Sequence, residues 1–342
     1  MNLFYALVLI LAAGVINGSF ALPTKYIEKW RFENIWLQYA LWSFVILPWL
    51  FMFAIEPRIL AIYSAAPPRL LALMLAGGFI FGAGQVCFAL AMTSIGLGLA
   101  FVINLGLGIS LGFLLPLVLQ HPRQIPTPFG VTTLLGTALA VVGLLVSSRA
   151  GKLRDEERSK TPRADEGSHS LGVTLAILAG LSSACQNVVF SLTSPLQELA
   201  SSMGARGFAA ANVLWPGFLL CSFIPYALYT LYLHQKNGSF ARYAEPGSWK
   251  YHGFAVIMGA FWFGSIVFYS KASRLIGSLG PLVGWPMFMV LIILTSSFWG
   301  WKHNEWEGSG ARATAVMKNG LAFLIASILV LGFSSSLRAG GF

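Results

Sequence analysis

Long apolar stretches alternate with short polar ones along the whole chain. A run of about 20 apolar residues is long enough to cross the hydrocarbon core of a bilayer as an α-helix. Ten such runs are present, and they are numbered here as spans 1 to 10: 3–22, 34–55, 70–93, 97–119, 129–148, 171–194, 207–233, 251–272, 278–301 and 315–337. The pattern predicts an all-α integral membrane protein with ten transmembrane helices.

The links between spans are short, except for a charged stretch at 149–170 near the middle of the chain. Five predicted spans precede it and five follow it. Two halves that each have an odd number of spans enter the membrane in opposite orientations, which is a common transporter architecture. We therefore predict two inverted five-helix halves, 1–148 and 171–342, joined by a charged linker.

Composition agrees with a membrane protein and bears on possible partners. Charged residues make up 10% of the chain, against about 25% in ordinary soluble domains. A net charge of +10 on a soluble protein would suggest a nucleic-acid partner. Here the basic residues lie in links, so we expect contacts with anionic lipid headgroups and no nucleic acid.

The distribution of basic residues predicts the orientation of the chain. Fifteen of the 22 Lys and Arg residues fall in the central linker and in links 1–2, 7–8 and 9–10, and seven fall on the other side. Cytoplasmic links carry the excess of positive charge. Both termini are therefore expected outside the cytoplasm.

The positions of the titratable side chains and the absence of common catalytic motifs argue against an enzyme. By these boundaries, the acidic residues and the five histidines lie at span ends or in links. The motifs HExxH, GxxxxGK[ST] and CxxC are absent from the sequence. The three cysteines, Cys87, Cys185 and Cys221, fall within apolar runs, where they are expected to be packing residues. We expect no catalytic residues, no metal site and no cofactor.

The polar residues inside the spans are neutral, which favours a site for a neutral polar ligand. Amides both donate and accept hydrogen bonds and can pair with the hydroxyls of a sugar, while aromatic rings supply flat apolar faces. The alternative for each of these amides is a structural role, in which it forms a hydrogen bond with a neighbouring helix and does not contact a ligand. The predicted substrate-binding residues are Asn17, Gln85, Asn104, Gln186, Asn187, Trp262, Tyr269 and Trp285.

Other small and aromatic residues are expected to have structural roles. Glycine pairs four residues apart let helices approach closely, and such pairs occur as Gly78 with Gly82 and Gly108 with Gly112. Tryptophans near span ends are typical of the membrane–water interface. Those expected in this interfacial belt are Trp30, Trp36, Trp49 and Trp301.

The first link and the start of span 2 carry a resemblance to a known family. The link reads Lys25-Tyr26-Ile27-Glu28-Lys29-Trp30, then Glu33-Asn34-Ile35-Trp36, and Ile46-Leu47-Pro48-Trp49 follows. Further matches are Arg149-Ala150-Gly151, Gly180-Leu181-Ser182-Ser183-Ala184 and Glu305-Trp306. The chain resembles the bacterial L-rhamnose–proton symporter family of the drug/metabolite transporter superfamily. That resemblance implies uptake of a 6-deoxyhexose with a proton across the inner membrane by two inverted halves.

Span 9 departs from the family pattern and keeps alternatives open. It reads Gly280-Pro281-Leu282-Val283-Gly284-Trp285 where the enteric members have polar and acidic residues. A proton-coupled carrier normally has a titratable group facing its cavity, and the nearest candidates are Glu56 and Glu198, which otherwise are solvated charges at span ends. The alternatives are an exporter of metabolites or drugs, and a sensor or scaffold that transports nothing.

Overall fold

The computed structural model describes residues 2–158 and 166–339, and within them the regular secondary structure is helical. Ten helical segments are long and apolar enough to cross a membrane, which confirms the ten predicted spans of a multi-pass membrane protein. The α-helices are Asn2–Ser19, Phe32–Ala40, Leu47–Ile55, Ile59–Ala65, Pro68–Ile95, Leu97–Gln120, Pro128–Arg158, Glu166–Leu192, Ser194–Ser202, Phe208–Asn212, Trp215–Asn237, Trp249–Ile276, Gly280–Lys302 and Ala311–Ala339.

Three spans contain more than one of these helices, and proline lies at each junction. In span 2, a π-helical turn at Leu41–Ile46 comes directly before Pro48, which has no N–H to donate to the preceding turn. The second helix of span 6 begins at Ser194, followed by Pro195. The main helix of span 7 begins at Trp215, followed by Pro216. Proline is tolerated in a first helical turn but interrupts a helix that is already under way.

Contacts between spans in the first half have counterparts in the second half. Each counterpart is found by adding five to a span number and counting on from span 10 to span 1. Span 3 packs against spans 6 and 7, and span 8 against spans 1 and 2. Span 4 packs against spans 5 and 6, and span 9 against spans 10 and 1. Spans 5 and 10 pack against each other. Two interlocked five-helix repeats would produce this pattern, although the division into halves and their inverted relation stay predictions.

Glycine allows the closest of these contacts. A methyl group on Gly78 would lie 2.0 Å from the carbonyl oxygen of Phe218 in span 7, and one on Gly82 would lie 2.0 Å from that of Ser222. A methyl group on Gly112 would lie 2.4 Å from the indole nitrogen of Trp285. The expectation that these glycines serve close helix packing is confirmed.

The predicted linker at 149–170 is helical where it is described, at 149–158 and 166–170. The helix of span 5 continues to Arg158, and the next helix already begins at Glu166. Lys, Arg and Glu are good helix formers, so a charged segment continues the helix beyond the apolar run. Residues 159–165 of the predicted linker lie outside the described residues.

Links 1–2, 7–8 and 9–10 meet at one end of the helix bundle, which we call the closed end. Lys25 forms an ion pair with Glu305, and the Lys29 ammonium donates to the carbonyl of Pro246 over 2.8 Å. The Trp30 indole donates to the carbonyl of Arg242 over 3.1 Å. The basic links thus share one end, as the charge count requires, and which side of the membrane it faces stays a prediction.

Trp30 itself contradicts its assignment to the interfacial belt. Only 5% of the residue is exposed, and its ring lies 5.1 Å from that of Tyr243 and 4.7 Å from that of His252, measured between centroids. The fold of link 7–8 over link 1–2 covers it, and that fold leaves no periodic signal in the sequence.

Candidate functional site

A cavity of about 400 Å³ lies at the other end of the bundle, which we call the open end. Ligand pockets commonly have volumes of about 300–1,000 Å³. Spans 4, 6, 8 and 9 surround this cavity. Its lining includes six neutral polar residues, namely Gln120, Ser191, Ser194, Gln197, Ser273 and Ser278. It also includes Phe190 and Pro281 and the ionisable residues His121, Glu198 and Arg274.

Hydrogen bonds hold parts of the cavity wall in place. Gln120 donates to the carbonyl of Ser191 over 3.3 Å and accepts from the Ser191 hydroxyl. The guanidinium of Arg274 donates to Ser201 over 2.6 Å and to the Gln197 carbonyl over 3.3 Å. These contacts tie the end of span 4 to span 6 and the end of span 8 to span 6.

Ser273 is different, because its buried hydroxyl oxygen has no hydrogen-bond partner among the described residues. The residue lines the cavity and is 1% exposed. A buried hydroxyl without a partner is costly, and native structures seldom leave one without a reason. Because the oxygen itself is not exposed to the cavity, a ligand hydroxyl would supply the missing partner only after a small movement of the side chains around Ser273.

Three of the predicted site residues lie together directly behind the cavity wall. Asn187 is fully buried and donates to the carbonyls of Gly112, over 2.8 Å, and Pro281, over 3.2 Å. Its side-chain oxygen accepts from the Tyr269 hydroxyl. The ring of Trp285 lies 5.7 Å from that of Tyr269. One amide therefore joins spans 4, 6, 8 and 9 beside the cavity.

None of the eight predicted substrate-binding residues is in the cavity lining, and the other five do not lie directly behind it either. Asn17 donates to the Ser265 hydroxyl over 2.7 Å, so it bonds a neighbouring helix. Asn104 accepts from the Ser183 hydroxyl over 2.7 Å in the same manner. Their part in substrate binding stays a prediction, as it does for the remaining three, Gln85, Gln186 and Trp262.

Trp262 belongs to an aromatic cluster that fills the core between the cavity and the closed end. Its ring lies 5.1 Å from Phe44, 6.3 Å from Tyr39 and 6.3 Å from Phe81. The Phe44 ring lies 5.9 Å from that of Tyr226. Spans 2, 3, 7 and 8 contribute these residues, so the cluster joins helices of both predicted halves.

The two predicted proton-coupling candidates both lie at span ends, but they differ in exposure and in position relative to the cavity. Glu198 is exposed and lines the cavity. Glu56 is 5% exposed and forms an ion pair with Arg58 over 3.0 Å, away from the cavity lining. Only Glu198 lies where a cavity-facing titratable group is expected, and its role in coupling stays a prediction.

A buried carboxylate at the closed end was missed by the sequence reasoning. Glu33 is in the first turn of span 2, where a helix N-terminus favours negative charge. It is 2% exposed and accepts hydrogen bonds from Ser239 over 2.6 Å and from Asn237 over 2.9 Å. The sequence shows only that Glu33 lies next to the start of span 2, and its burial comes from link 7–8, which folds over it.

The same network continues through a buried histidine. Nδ1 of His234 lies 2.8 Å from the Ser239 hydroxyl, and its Nε2 lies 3.1 Å from the Tyr243 hydroxyl. Tyr243 in turn donates to the carbonyl of Asn34 over 3.1 Å. Burial raises the pKa of Tyr243 well above that of an ordinary phenol, so its hydroxyl keeps its proton. The signal in the sequence was a histidine one turn before the end of span 7.

Comparisons with known proteins cover nearly the whole chain. Residues 1–335 match the family described as L-rhamnose-proton symport protein. The L-rhamnose-proton symporter of Yersinia pestis is 26% identical over 323 residues, which cover 92% of this chain and 93% of that protein. The L-rhamnose-proton symporter of Escherichia coli is 24% identical over the same shares of the two chains. The chain belongs to the L-rhamnose-proton symport protein family.

Proposed function

We propose that this protein carries L-rhamnose, or a closely related neutral 6-deoxyhexose, together with a proton across the bacterial inner membrane by alternating access. The observation that carries the proposal is a cavity whose lining is rich in neutral amides and hydroxyls, with Glu198, Arg274 and His121 among them. Its relatives are named as L-rhamnose-proton symporters, which favours symport over the exporter alternative. A transporter of this kind performs no covalent chemistry, so we propose that it is not an enzyme.

The cavity lining suits a deoxy sugar chemically. Side-chain amides and hydroxyls both donate and accept, so they can satisfy vicinal hydroxyls without demanding a charge. Phe190 offers an apolar face to the methyl group that distinguishes a 6-deoxyhexose from a hexose. Ser273 offers a buried hydroxyl that has no partner within the described part of the chain.

The two ends of the molecule correspond to one state of an alternating-access cycle. The open end admits solute to the cavity, while the aromatic cluster and the links seal the closed end. Exposure of the site on the other side requires the two five-helix halves to move relative to each other. The excess of basic residues in the links at the closed end supports the proposal that this end faces the cytoplasm and that both termini face the periplasm.

Ligand-dependent stabilisation of the purified protein tests the binding step. A ligand that binds only the folded state stabilises it by RT ln(1 + [L]/Kd), or about 2.7 kcal/mol at a hundredfold excess over Kd. We expect L-rhamnose to raise the melting temperature and Gln120→Ala to reduce that rise. Ser64→Ala is the matched control, because Ser64 is an exposed residue outside the spans.

Counterflow of labelled L-rhamnose in proteoliposomes tests transport. A carrier exchanges internal unlabelled sugar for external labelled sugar, and a scaffold does not. We expect counterflow without a pH gradient, and net accumulation only with an inwardly directed proton gradient. An absence of both binding and counterflow for every sugar tried would overturn the proposal.

A further inference from the structure

We propose that Glu33, Ser239, His234 and Tyr243 form a proton-binding site that keeps the closed end shut when one proton is bound. The inference deepens the proposed function, since it rests on opening of the closed end being a step of transport. It differs from the candidates suggested by the sequence, because the site lies at the end opposite the cavity.

Four hydrogen bonds run in series through the site. They join Glu33 Oε1 to Ser239 Oγ, Ser239 Oγ to His234 Nδ1, His234 Nε2 to Tyr243 Oη, and Tyr243 Oη to the carbonyl oxygen of Asn34. Each donor–acceptor distance is between 2.6 and 3.1 Å. Both Glu33 and His234 are at most 2% exposed, so water does not replace a missing bond.

A count of hydrogens indicates that all four bonds are made at once only when the series holds one extra proton. Four bonds need four hydrogens, and the two hydroxyls provide one each. A neutral imidazole provides one more and a carboxylate provides none. The fourth hydrogen is therefore an added proton, carried either by His234 as imidazolium or by Glu33 as carboxylic acid. The Ser239 hydroxyl lies between His234 and Glu33. When it gives its own proton to one of them and accepts a proton from the other, the extra proton moves between the two residues.

Loss of that proton to water breaks one bond of the series. With Glu33 ionised and His234 neutral, three hydrogens remain for four bonds, and one pair of acceptors faces each other with nothing between. The series joins span 2 to span 7 and link 7–8, which belong to different predicted halves. Proton release therefore weakens the contact that holds the halves together at the closed end.

Nearby cations do not replace the proton within the described part of the chain. Lys29 donates to Pro246, Arg242 donates to the Lys29 carbonyl, and the Lys236 ammonium lies 6.0 Å from the Tyr232 ring. No ion pair to Glu33 is present among the described residues. The other titratable or charged side chains on the elements packed here are Glu28 and Arg31 in link 1–2, Tyr229 in span 7, Glu245 in link 7–8, and Lys250, Tyr251 and His252 in span 8.

A distance measurement across the closed end, made without sugar, tests the site. Spin labels are attached at Glu28→Cys in link 1–2 and Gln235→Cys in span 7, both exposed positions, after Cys87, Cys185 and Cys221 are replaced by serine. We expect a short-distance population at low pH and a longer one at high pH. Because one proton is bound or released when the closed end opens, the ratio of the short-distance to the long-distance population shifts by up to about tenfold per pH unit.

Two variants with opposite expected results separate proton binding from simple packing. Glu33→Gln supplies the fourth hydrogen at every pH when its amide nitrogen faces Ser239, with loss of the bond from Asn237 to the same position, so the short distance should persist at high pH. His234→Ala removes the centre of the series, so the long distance should dominate at every pH. Glu305→Gln is the control, since it removes a partly exposed carboxylate at the same end and should keep the pH response of the unmodified protein.

The proposal is overturned if the unmodified protein shows no dependence on pH, or if both variants keep its slope. It is supported if the two variants are independent of pH and fixed in opposite states. Since no sugar is present, failure of the L-rhamnose experiments would leave this result standing. A flat pH response with normal L-rhamnose transport would reject the proton site alone.

Discussion

At the scale of single residues, the cavity region contains polar side chains of two kinds. Asn187 has partners for both amide hydrogens and for its oxygen. Ser273 has a hydroxyl with none among the described residues. A side chain whose hydrogen bonds are all made supports structure, and one with a free group is available to a ligand. The two should therefore respond in opposite ways to substitution.

Asn187→Ala should destabilise the protein. It removes the hydrogen bonds that the Asn187 side chain makes with the carbonyls of Gly112 and Pro281 and with the hydroxyl of Tyr269, and a buried group left unsatisfied costs about 1–3 kcal/mol. We expect a clear fall in melting temperature in detergent. Gln186→Ala is the matched control, since Gln186 is the preceding residue and makes no hydrogen bond in the part of the chain that is described. Equal stability of the two variants would contradict the role given to Asn187.

Ser273→Ala should weaken sugar binding without loss of stability. A neutral hydrogen bond contributes about 0.5–1.5 kcal/mol, which corresponds to a fall in L-rhamnose affinity of up to about tenfold. Stability in the absence of sugar should stay equal or rise, because the unpaired hydroxyl is removed. Titration of L-rhamnose by isothermal calorimetry measures the affinity.

Ser270, one turn earlier in span 8, provides the comparison. It accepts a hydrogen bond from the Trp215 indole over 2.7 Å and is fully buried. Ser270→Ala should therefore lower the melting temperature and leave the affinity of the folded protein unchanged. If Ser270→Ala weakened L-rhamnose binding and Ser273→Ala did not, the sugar would not bind at Ser273.

At the scale of elements, the close approach of spans 3 and 7 depends on glycine. Gly82→Ala would place a methyl group 2.0 Å from the Ser222 carbonyl oxygen, which is backbone and cannot rotate away. We expect the spans to be pushed apart, at a cost of about 1–3 kcal/mol in the free energy of unfolding. Denaturant unfolding in mild detergent measures this.

Gly264→Ala in span 8 is the matched control for that prediction. No atom outside its own helix lies within 4 Å of an added methyl group there. Alanine is the better helix former by about 1 kcal/mol, so this variant should be as stable as the unmodified protein or more so. A similar loss of stability in both variants would show that the contact between spans 3 and 7 is not what limits substitution.

The elements also show which features a sequence reveals. The ten spans follow from apolar runs, and the role of Gly78 and Gly82 follows from their spacing, because both depend on local order along one helix. The burial of Trp30 and Glu33 depends on link 7–8, which is distant in sequence and has no repeating pattern. The unpaired hydroxyl of Ser273 depends on the positions of four spans at once. Local order was predictable, and contacts between links were not.

At the scale of the whole molecule, one cavity faces one end, and the other end is sealed by links and aromatic rings. The excess of basic residues in three links predicts that they share one side, and the structure brings these links together. Which end is open could not be predicted from the sequence, since opening depends on the relative position of the halves. That position has to change if the protein is a carrier.

Preventing this change should stop transport without preventing binding. Lys25 in link 1–2 and Glu305 in link 9–10 form an ion pair across the closed end. In a cysteine-free protein, Lys25→Cys and Glu305→Cys can be joined by a short bifunctional thiol reagent. The link should hold the closed end shut, so counterflow of L-rhamnose should fall to background.

The same cross-linked protein should still be stabilised by L-rhamnose, because the cavity opens at the other end and its lining contains neither substituted residue. Each single-cysteine variant treated with the reagent is the control and should keep its counterflow. Loss of an exposed ion pair contributes at most about 1 kcal/mol, so the substitutions alone should do little. Continued counterflow after complete cross-linking would show that the closed end does not open during transport, and alternating access between these two ends would be wrong.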